Sequence, residues 1–283
     1  MQSVAIVGTG LIGASFGLAL RRAGFKGTIT GVSSAPVIAE AVRLGAVDRA
    51  APFAEAVGAA DLIFLSQTIA RIMDSICKLE PLVRPGTLIT DAASTKLEVT
   101  DLALKSLTRG QFLGGHPMAG KEHRGAAAAD AALFEGCTWV LTPTERAELE
   151  TTPATEFLDW LRRIGAHPVM MSAEEHDQVV SYTSHLAQLA STALAATVAD
   201  CVPREDLRVA GSGLRDMTRL AFGSYDLWRD ILATNTEPID QALEAYIQKL
   251  EHIRENLRTR QVQTEFERGA ALAGELREKY WKA

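Results

Sequence analysis

Gly8-Thr9-Gly10-Leu11-Ile12-Gly13 is the stretch on which the fold turns. It has the form Gly-x-Gly-x-x-Gly. A short β-rich run, 3–7, leads into it, and apolar residues at helical spacing, 11–23, come after it up to Gly24. That context gives each glycine a task. The first permits a tight turn, the second lets backbone approach a pyrophosphate, and the third lets helix and strand pack closely. The helix that opens there presents free N–H groups and partial positive charge to phosphate. A glycine-rich turn with no ligand is the competing reading, and the strand–turn–helix setting at 3–23 argues against it. Gly8, Gly10, Leu11, Ile12 and Gly13 are therefore the first cofactor-binding candidates.

Working outward, strands are expected at 28–32, 61–65 and 87–90, with helices at 36–44 and 72–82 between them. Such alternation implies parallel βαβ units with helices on both faces. Runs at 112–115, 138–141 and 168–171 are expected to be later strands of the same sheet, and the Ala-rich 125–133 a local loop-helix segment. Near Ser172 the character changes to long helical patterns, beginning with the capping-box signature Ser172-x-x-Glu175. Ile239, Leu243, Tyr246, Ile247, Leu250, Ile253 and Leu257 form one apolar stripe. The expected fold is an α/β N-terminal Rossmann-type domain, doubly wound with a mostly parallel sheet, followed by an all-α C-terminal domain. The domains are 1–171, for the dinucleotide, and 172–283, for substrate and dimerisation. The stripe favours a homodimer over an intramolecular bundle, because an amphipathic helix needs a partner surface.

The second strand ends Gly31-Val32-Ser33-Ser34, where an NAD-specific site usually carries an acid about 20 residues past the glycines. Ser33 and Ser34 would neither repel nor exclude the 2′-phosphate of NADP, and Arg43 is the nearest arginine. The cofactor is thus expected to be NAD(P)+, with Ser33, Ser34 and Gln67 on its side of the site.

Composition narrows the partners. The 283 residues are 47% hydrophobic and 23% charged, with a formal charge of −6 from 29 Lys+Arg against 35 Asp+Glu. No basic patch suggests nucleic acid, and no apolar run approaches the ~18–20 residues of a membrane span. Cys77, Cys137 and Cys201 are far apart and in no Cys-x-x-Cys pair, so neither disulfides nor a metal site is expected. With no basic segment before the first apolar run, a cytoplasmic protein is expected.

Polar clusters sit where βα architecture places strand ends, which is where open α/β sheets bind ligands. One is Asp91-Ala92-Ala93-Ser94-Thr95-Lys96. The next is Gly114-Gly115-His116-Pro117-Met118-Ala119-Gly120-Lys121-Glu122. His116 is a general acid/base candidate, since an unperturbed imidazole titrates near neutrality. A loop histidine packed on the sheet edge is the alternative.

Together with the GTGLIG start, these clusters resemble the prephenate/arogenate dehydrogenase family. The similarity continues through His176-Asp177, Ser184-His185-Leu186, Arg215-Asp216-Met217-Thr218-Arg219 and Trp228-Arg229-Asp230-Ile231. The resemblance implies oxidation of a cyclohexadienol. Hydride leaves the hydroxyl-bearing ring carbon for the nicotinamide, the ring carboxylate departs as carbon dioxide and the ring aromatises. Prephenate gives 4-hydroxyphenylpyruvate, and the alternative, arogenate, gives tyrosine.

By resemblance, His116 accepts from the ring hydroxyl and Ser94 steadies His116 and the nicotinamide end. Arg219 holds the substrate carboxylate, for which a planar guanidinium is suited. Asp216 orients a neighbouring cation, with Arg215 beside it in the same segment. Glu122 stands at the mouth and Trp228 lines the pocket. Ser184 and His185 lie on the substrate side, while His176 and Asp177 cap or pin the first helix of the second domain. Many relatives continue Ser-His-Leu to a second histidine, where this chain has Gln188, so Gln188 is expected to bear on the choice between prephenate and arogenate. The chain stops soon after Trp281, which leaves no room for a regulatory ACT domain, and a monofunctional enzyme is expected. Two other readings compete. One is a β-hydroxyacid or pyrroline-carboxylate type dehydrogenase. The other is a non-catalytic dinucleotide sensor, which would need no His116, Ser94 and Arg219 together.

Overall fold

In the computed structural model, which describes residues 1–121 and 123–280, the chain divides into two compact units, Met1–Thr236 and one beginning at Glu237. In the first, β1 (Ser3–Val7), α1 (Leu11–Arg22), β2 (Thr28–Val32), α2 (Ala35–Arg43), β3 (Arg49–Ala50), α3 (Phe53–Gly58), β4 (Leu62–Leu65), α4 (Ile69–Leu79), β5 (Leu88–Asp91), α5 (Leu97–Ser106) and β6 (Gln111–Phe112) follow in order. The six strands form one sheet in the order β3-β2-β1-β4-β5-β6, all parallel. This is the doubly wound, Rossmann-type order, with its crevice where the chain reverses direction across the sheet. Strands covered on both faces read as unbroken apolar runs, and all four residues of β4, Leu-Ile-Phe-Leu, are buried. The α4 helix stops at Leu79, short of the expected 82, because Pro81 lacks a donor and disfavours helix before it.

One expectation is corrected. The later strands do not extend the first sheet. The chain leaves that sheet after Leu113, whose N–H makes a parallel-ladder bond to Ile89 O (2.8 Å). It then enters a second sheet of β7 (Gly114–Pro117), β8 (Thr138–Thr142) and β9 (His167–Met170), in which β7 and β8 run antiparallel. Gly114 and Gly115 make the transfer possible. A Cβ on Gly114 would sit 2.4 Å from Thr142 Oγ1, and one on Gly115 2.8 Å from Asp91 O. Only glycine lets backbone pass this close. Between β8 and β9 lies α6 (Thr152–Arg163), begun by Thr151, whose Oγ1 accepts from Ala154 N (3.3 Å). An aromatic cluster joins the two sheets. Phe16 on α1 packs on Phe64 of β4 (4.5 Å between ring centres) and on Trp139 of β8 (5.8 Å), and all three are fully buried.

Beyond Met170 every described element is helical: α7 (Ala173–Val180), a π-helical turn at Ser181–His185, α8 (Leu186–Cys201), α9 (Ser212–Met217), α10 (Tyr225–Thr234), α11 (Thr236–Glu255) and α12 (Gln263–Lys279), with 3-10 turns between some of them. The expected capping box opens α7. Glu175 N donates to Ser172 Oγ and Ser172 N to Glu175 Oε2, both at 3.0 Å. In the second unit α11 carries the expected stripe. Ile239 is buried, but Ile247, Leu250 and, past the helix end, Leu257 are exposed, as are Phe266 and Leu272 of α12. Lys249 Nζ on α11 meets Glu265 Oε1 on α12 at 3.3 Å. Among the described residues no helix is long and apolar enough to cross a membrane.

Candidate active site

The glycine loop joins β1 to α1 at the carboxyl edge of the sheet. Gly8 has φ +97°, and a Cβ there would be strained and would press on Gln67 Cγ and the Ser66 backbone at 2.8 Å. Ser66 Oγ donates to Gly8 O (2.6 Å), while Gln67 Oε1 accepts from Ser75 Oγ (2.9 Å). The two residues just after β4 therefore buttress the loop. Gly10 is different, since a Cβ there would meet nothing within 4 Å. It also begins α1 without a side-chain cap, so no capping side chain takes up the first-turn N–H groups. An open second glycine at an uncapped helix start is the cradle a pyrophosphate needs, so these residues fit a dinucleotide. Ser33 and Ser34 are exposed at the carboxyl end of β2. Arg43 is engaged by Glu40 at the far end of α2, Nη2 to Oε1 at 2.6 Å.

Gly13 packs where α1 crosses β1. A Cβ on it would lie 2.0 Å from Gly8 O and 2.5 Å from Ser66 Oγ. We expect Gly13→Ala to cost about 1–3 kcal/mol, the usual penalty of overpacking, and to abolish measurable dinucleotide binding. Calorimetric titration and thermal melts check this, and unchanged affinity would contradict the assigned role of the loop.

The second cluster is built around Asp91 at the end of β5. Its carboxylate accepts from Gly115 N (3.0 Å), Ala93 N (2.9 Å) and the Lys96 ammonium. Lys96 Nζ also donates to Gly115 O (2.9 Å), and neither Asp91 nor Lys96 is exposed. This buried pair clamps both backbone polar groups of the residue before His116. Ser94, half-buried on the same loop, has no hydrogen-bond partner among the described residues. The His116 Nδ1 atom lies 2.8 Å from His176 Nε2, and His176 Nδ1 lies 2.7 Å from Asp177 Oδ1. Burial first, then the His176, Lys96 and His185 side chains, hold the His116 pKa well below the ordinary 6.5. At neutral pH its ring is uncharged and can accept a proton.

The glycine loop, Gln67, Ser94 and His116 thus gather at one edge, past the carboxyl ends of β1, β4 and β5. Comparison with known proteins identifies the family of both parts of the chain. Residues 16–170 match the prephenate dehydrogenase nucleotide-binding domain, and 172–270 match the prephenate dehydrogenase dimerization domain. The chain belongs to the prephenate dehydrogenase family. It is 35% identical to the Bacillus subtilis prephenate dehydrogenase over 265 residues, covering 89% of this chain and 69% of the relative. It superposes on the A. aeolicus prephenate dehydrogenase solved with hydroxyphenyl propionate and NAD+, with a TM-score of 0.83 and 31% identity, covering 99% of this chain and 97% of that one. The Synechocystis arogenate dehydrogenase structure is also similar, with a TM-score of 0.80 and 31% identity, covering 98% and 99%. As a member of this prephenate dehydrogenase family the chain is an NAD(P)-dependent oxidoreductase. Membership decides against the β-hydroxyacid and sensor readings.

The remaining family residues are spread over the helices of the first unit. The π-helical turn adds one residue per turn and re-aims the side chains on α8 beyond it. Within it Ser184 is half-buried, and His185 is buried, its Nδ1 accepting from Asn235 Nδ2 (3.2 Å) and its ring edge-on to Trp228 at 5.7 Å. Burial lowers the His185 pKa to about 4, against the pull of Asp177. Gln188 is also buried. Its Nε2 donates to Leu220 O (2.7 Å) and Thr192 Oγ1 (3.1 Å), which ties α8 to the 3-10 turn Arg219–Phe222. Arg219 lies exposed on that turn. Arg215 Nε meets Asp216 Oδ1 at 3.1 Å, so the cation beside Asp216 is its neighbour Arg215, and both side chains are exposed. Glu122 lies outside the described residues, as does Trp281.

Sequence reasoning placed His176 and Asp177 as a local pin for the second domain's first helix. The structure shows a different arrangement. The Asp177 carboxylate reaches across to accept Lys96 N (2.7 Å) and Leu97 N (2.9 Å), and so caps α5. Asn235, which was not anticipated, donates to Asp177 O (2.9 Å) as well as to His185. The signal available in sequence was the His-Asp pair itself, two polar residues on the buried face of an amphipathic helix.

Proposed function

We propose that this chain is a prephenate dehydrogenase of tyrosine biosynthesis, converting prephenate to 4-hydroxyphenylpyruvate and carbon dioxide. The observation that carries this reading is an uncharged His116 at the same sheet edge as an open glycine loop. Gly8, Gly10, Leu11, Ile12, Gly13 and Gln67 would hold the dinucleotide, with Ser33 and Ser34 at its adenosine ribose. When bound, NAD(P)+ supplies a hydride acceptor for the hydroxyl-bearing ring carbon. His116 takes the hydrogen bond of the ring hydroxyl, so electron density builds on that oxygen as hydride leaves. As the carboxylate departs and the ring aromatises, the proton stays with the phenol oxygen. Ser94, unpartnered among the described residues, donates to the same oxygen or to the nicotinamide amide. Arg219 pairs with the ring carboxylate, steadied by Arg215 and Asp216. Trp228, His185 and Ser184 shape the substrate side with Glu122, and Gln188 sets the turn on which Arg219 rides.

In this reading 1–171 serves the dinucleotide and 172–283 serves substrate binding and pairing of two copies. The match to a dimerization domain and the exposed apolar residues of α11 and α12 support a homodimer. A cytoplasmic site of action fits the free thiols Cys77, Cys137 and Cys201.

Arogenate is the second substrate reading. It is favoured by the likeness to the arogenate dehydrogenase structure. A two-by-two assay tests both readings, with prephenate or arogenate against NAD+ or NADP+ and reduced nicotinamide followed by absorbance. We expect turnover with prephenate. Preference for arogenate would move the assignment to the second reading, and no turnover with either would reject both.

A further inference from the structure

Resting on that reading, we infer that His176 and Asp177 are positioning residues that fix the tautomer of His116. They leave the His116 Nε2 lone pair as the acceptor for the ring hydroxyl.

Asp177 sets the direction of the chain of hydrogen bonds. Its carboxylate is 2% exposed and accepts two backbone N–H groups, Lys96 N on Oδ1 and Leu97 N on Oδ2. Backbone amides can only donate, so both carboxylate oxygens facing them act as acceptors. The His176 Nδ1 atom, 2.7 Å from the same Oδ1, must therefore carry the proton and donate it. A neutral His176 then has its lone pair on Nε2. That atom is 2.8 Å from His116 Nδ1, and a contact this short needs one hydrogen between the two nitrogens. With the lone pair on His176 Nε2, the hydrogen belongs to His116 Nδ1. The free His116 nitrogen, Nε2, is thereby left unprotonated.

The polarity of the chain is set at one end by a buried anion and read at the other end by the substrate. A protonated His176 would reverse it, donating from Nε2 to His116 Nδ1 and forcing the His116 proton onto Nε2, where it blocks acceptance. Charged and titratable groups face the chain of hydrogen bonds from each element around it. Lys96 and Asp91 come from the β5 end, His185 from the π-helical turn, and Asp177 from α7 itself. Lys96 and His185 each lower the His116 pKa, and His176 is fully buried. The arrangement has the logic of a carboxylate that orients a catalytic imidazole, with a second imidazole inserted between the two. It also offers a place for charge. When the ring hydroxyl shares its proton with His116 Nε2, the developing imidazolium donates from Nδ1 toward His176 and, through it, toward Asp177.

Asp177 also caps α5, so its removal would mix folding with catalysis. The test therefore uses His176. His176→Leu removes the acceptor. His176→Gln restores one, since its amide oxygen can accept from His116 Nδ1 while its nitrogen donates to Asp177. The first readout is the long-range proton–nitrogen NMR spectrum of the histidine rings, with His116 assigned through His116→Asn. It needs neither substrate nor turnover. Wild type should show His116 protonated at Nδ1 and bare at Nε2, and His176→Leu should lose that single tautomer. The second readout is steady-state kinetics. We expect His176→Leu to lower kcat about 100-fold, in the range of a mispositioned general base, with KM and NAD(P)+ affinity within about twofold. His176→Gln should recover most of the loss.

A wild-type His116 protonated at Nε2 would overturn the inference even in a fully active enzyme. So would a His176→Leu enzyme with unchanged kcat, or a His176→Gln enzyme as slow as His176→Leu. A wild-type protein inactive on both cyclohexadienols would reject the functional reading instead, while the tautomer measurement would still decide the relay.

Discussion

His116→Asn is expected to lower kcat by about 10²–10⁴-fold, the range of a positioned general base, while NAD(P)+ affinity stays within about twofold. The asparagine amide keeps some hydrogen-bonding capacity but has no basic nitrogen to take up density from the ring hydroxyl. Dinucleotide affinity should survive because the glycine loop is braced by Ser66 and Gln67 rather than by His116. The same residue sets the acid limb of the pH profile. Its working form is neutral, and burial with His176, Lys96 and His185 holds its pKa well below 6.5. As pH falls, kcat/KM should therefore stay flat through 6.5 and drop only at more acid values, where the ring takes a proton. A fully active variant, or a wild-type acid limb centred at or above 6.5, would remove His116 from the chemistry.

Lys96→Met should produce the largest loss of stability, about 3–5 kcal/mol, as expected when one partner of a buried ion pair is removed. The Asp91 carboxylate would keep its bonds from Gly115 N and Ala93 N but lose the only ammonium in contact with it among the described residues. Lys96 has a lowered pKa because burial disfavours its charge, and Asp91 is what holds that charge in place. For a protein of this size the loss corresponds to a melting temperature lower by about 10 °C. The double variant Asp91→Leu with Lys96→Met should recover part of it, since no lone charge then remains buried. Differential scanning calorimetry reads both. A single variant that melts with the wild type would show that the pair is structurally dispensable.

The family resemblance rested on motifs that are contiguous in the chain, and those motifs carried the assignment. The Gly8–Gly13 loop, the His116 loop and the Arg215–Arg219 segment each place their chemistry within a few residues. The first two lie near carboxyl ends of strands, and the third lies among the helices beyond Met170. The helix boundary at Leu79 was missed because propensity over 72–82 outweighed the single Pro81. The second sheet was missed because its strands have the same apolar character as the first, and the break depends on how closely Gly114 and Gly115 approach Thr142 and Asp91. Gln188 was placed on the substrate by analogy with a histidine. Its amide is committed to Leu220 O and Thr192, a pairing set by the packing of α8 on the 3-10 turn at Arg219–Phe222.

The parallel α/β start, the strand–glycine-loop–helix and the helical second half were legible in the order of residues, and the roles proposed for His116, Ser94 and Arg219 come from contiguous motifs. Local periodicity, glycine sterics and contiguous motifs are properties of neighbours in the chain. Three links depended on packing instead: Asp91 and Lys96 clamp Gly115, the π-helical turn aims His185, and Asp177 acts through His176 on His116. They join residues 19 to 60 positions apart or hang on a backbone irregularity. Their strength comes from burial, where an unpaired charge or donor is costly, and burial is settled only once the whole chain has packed.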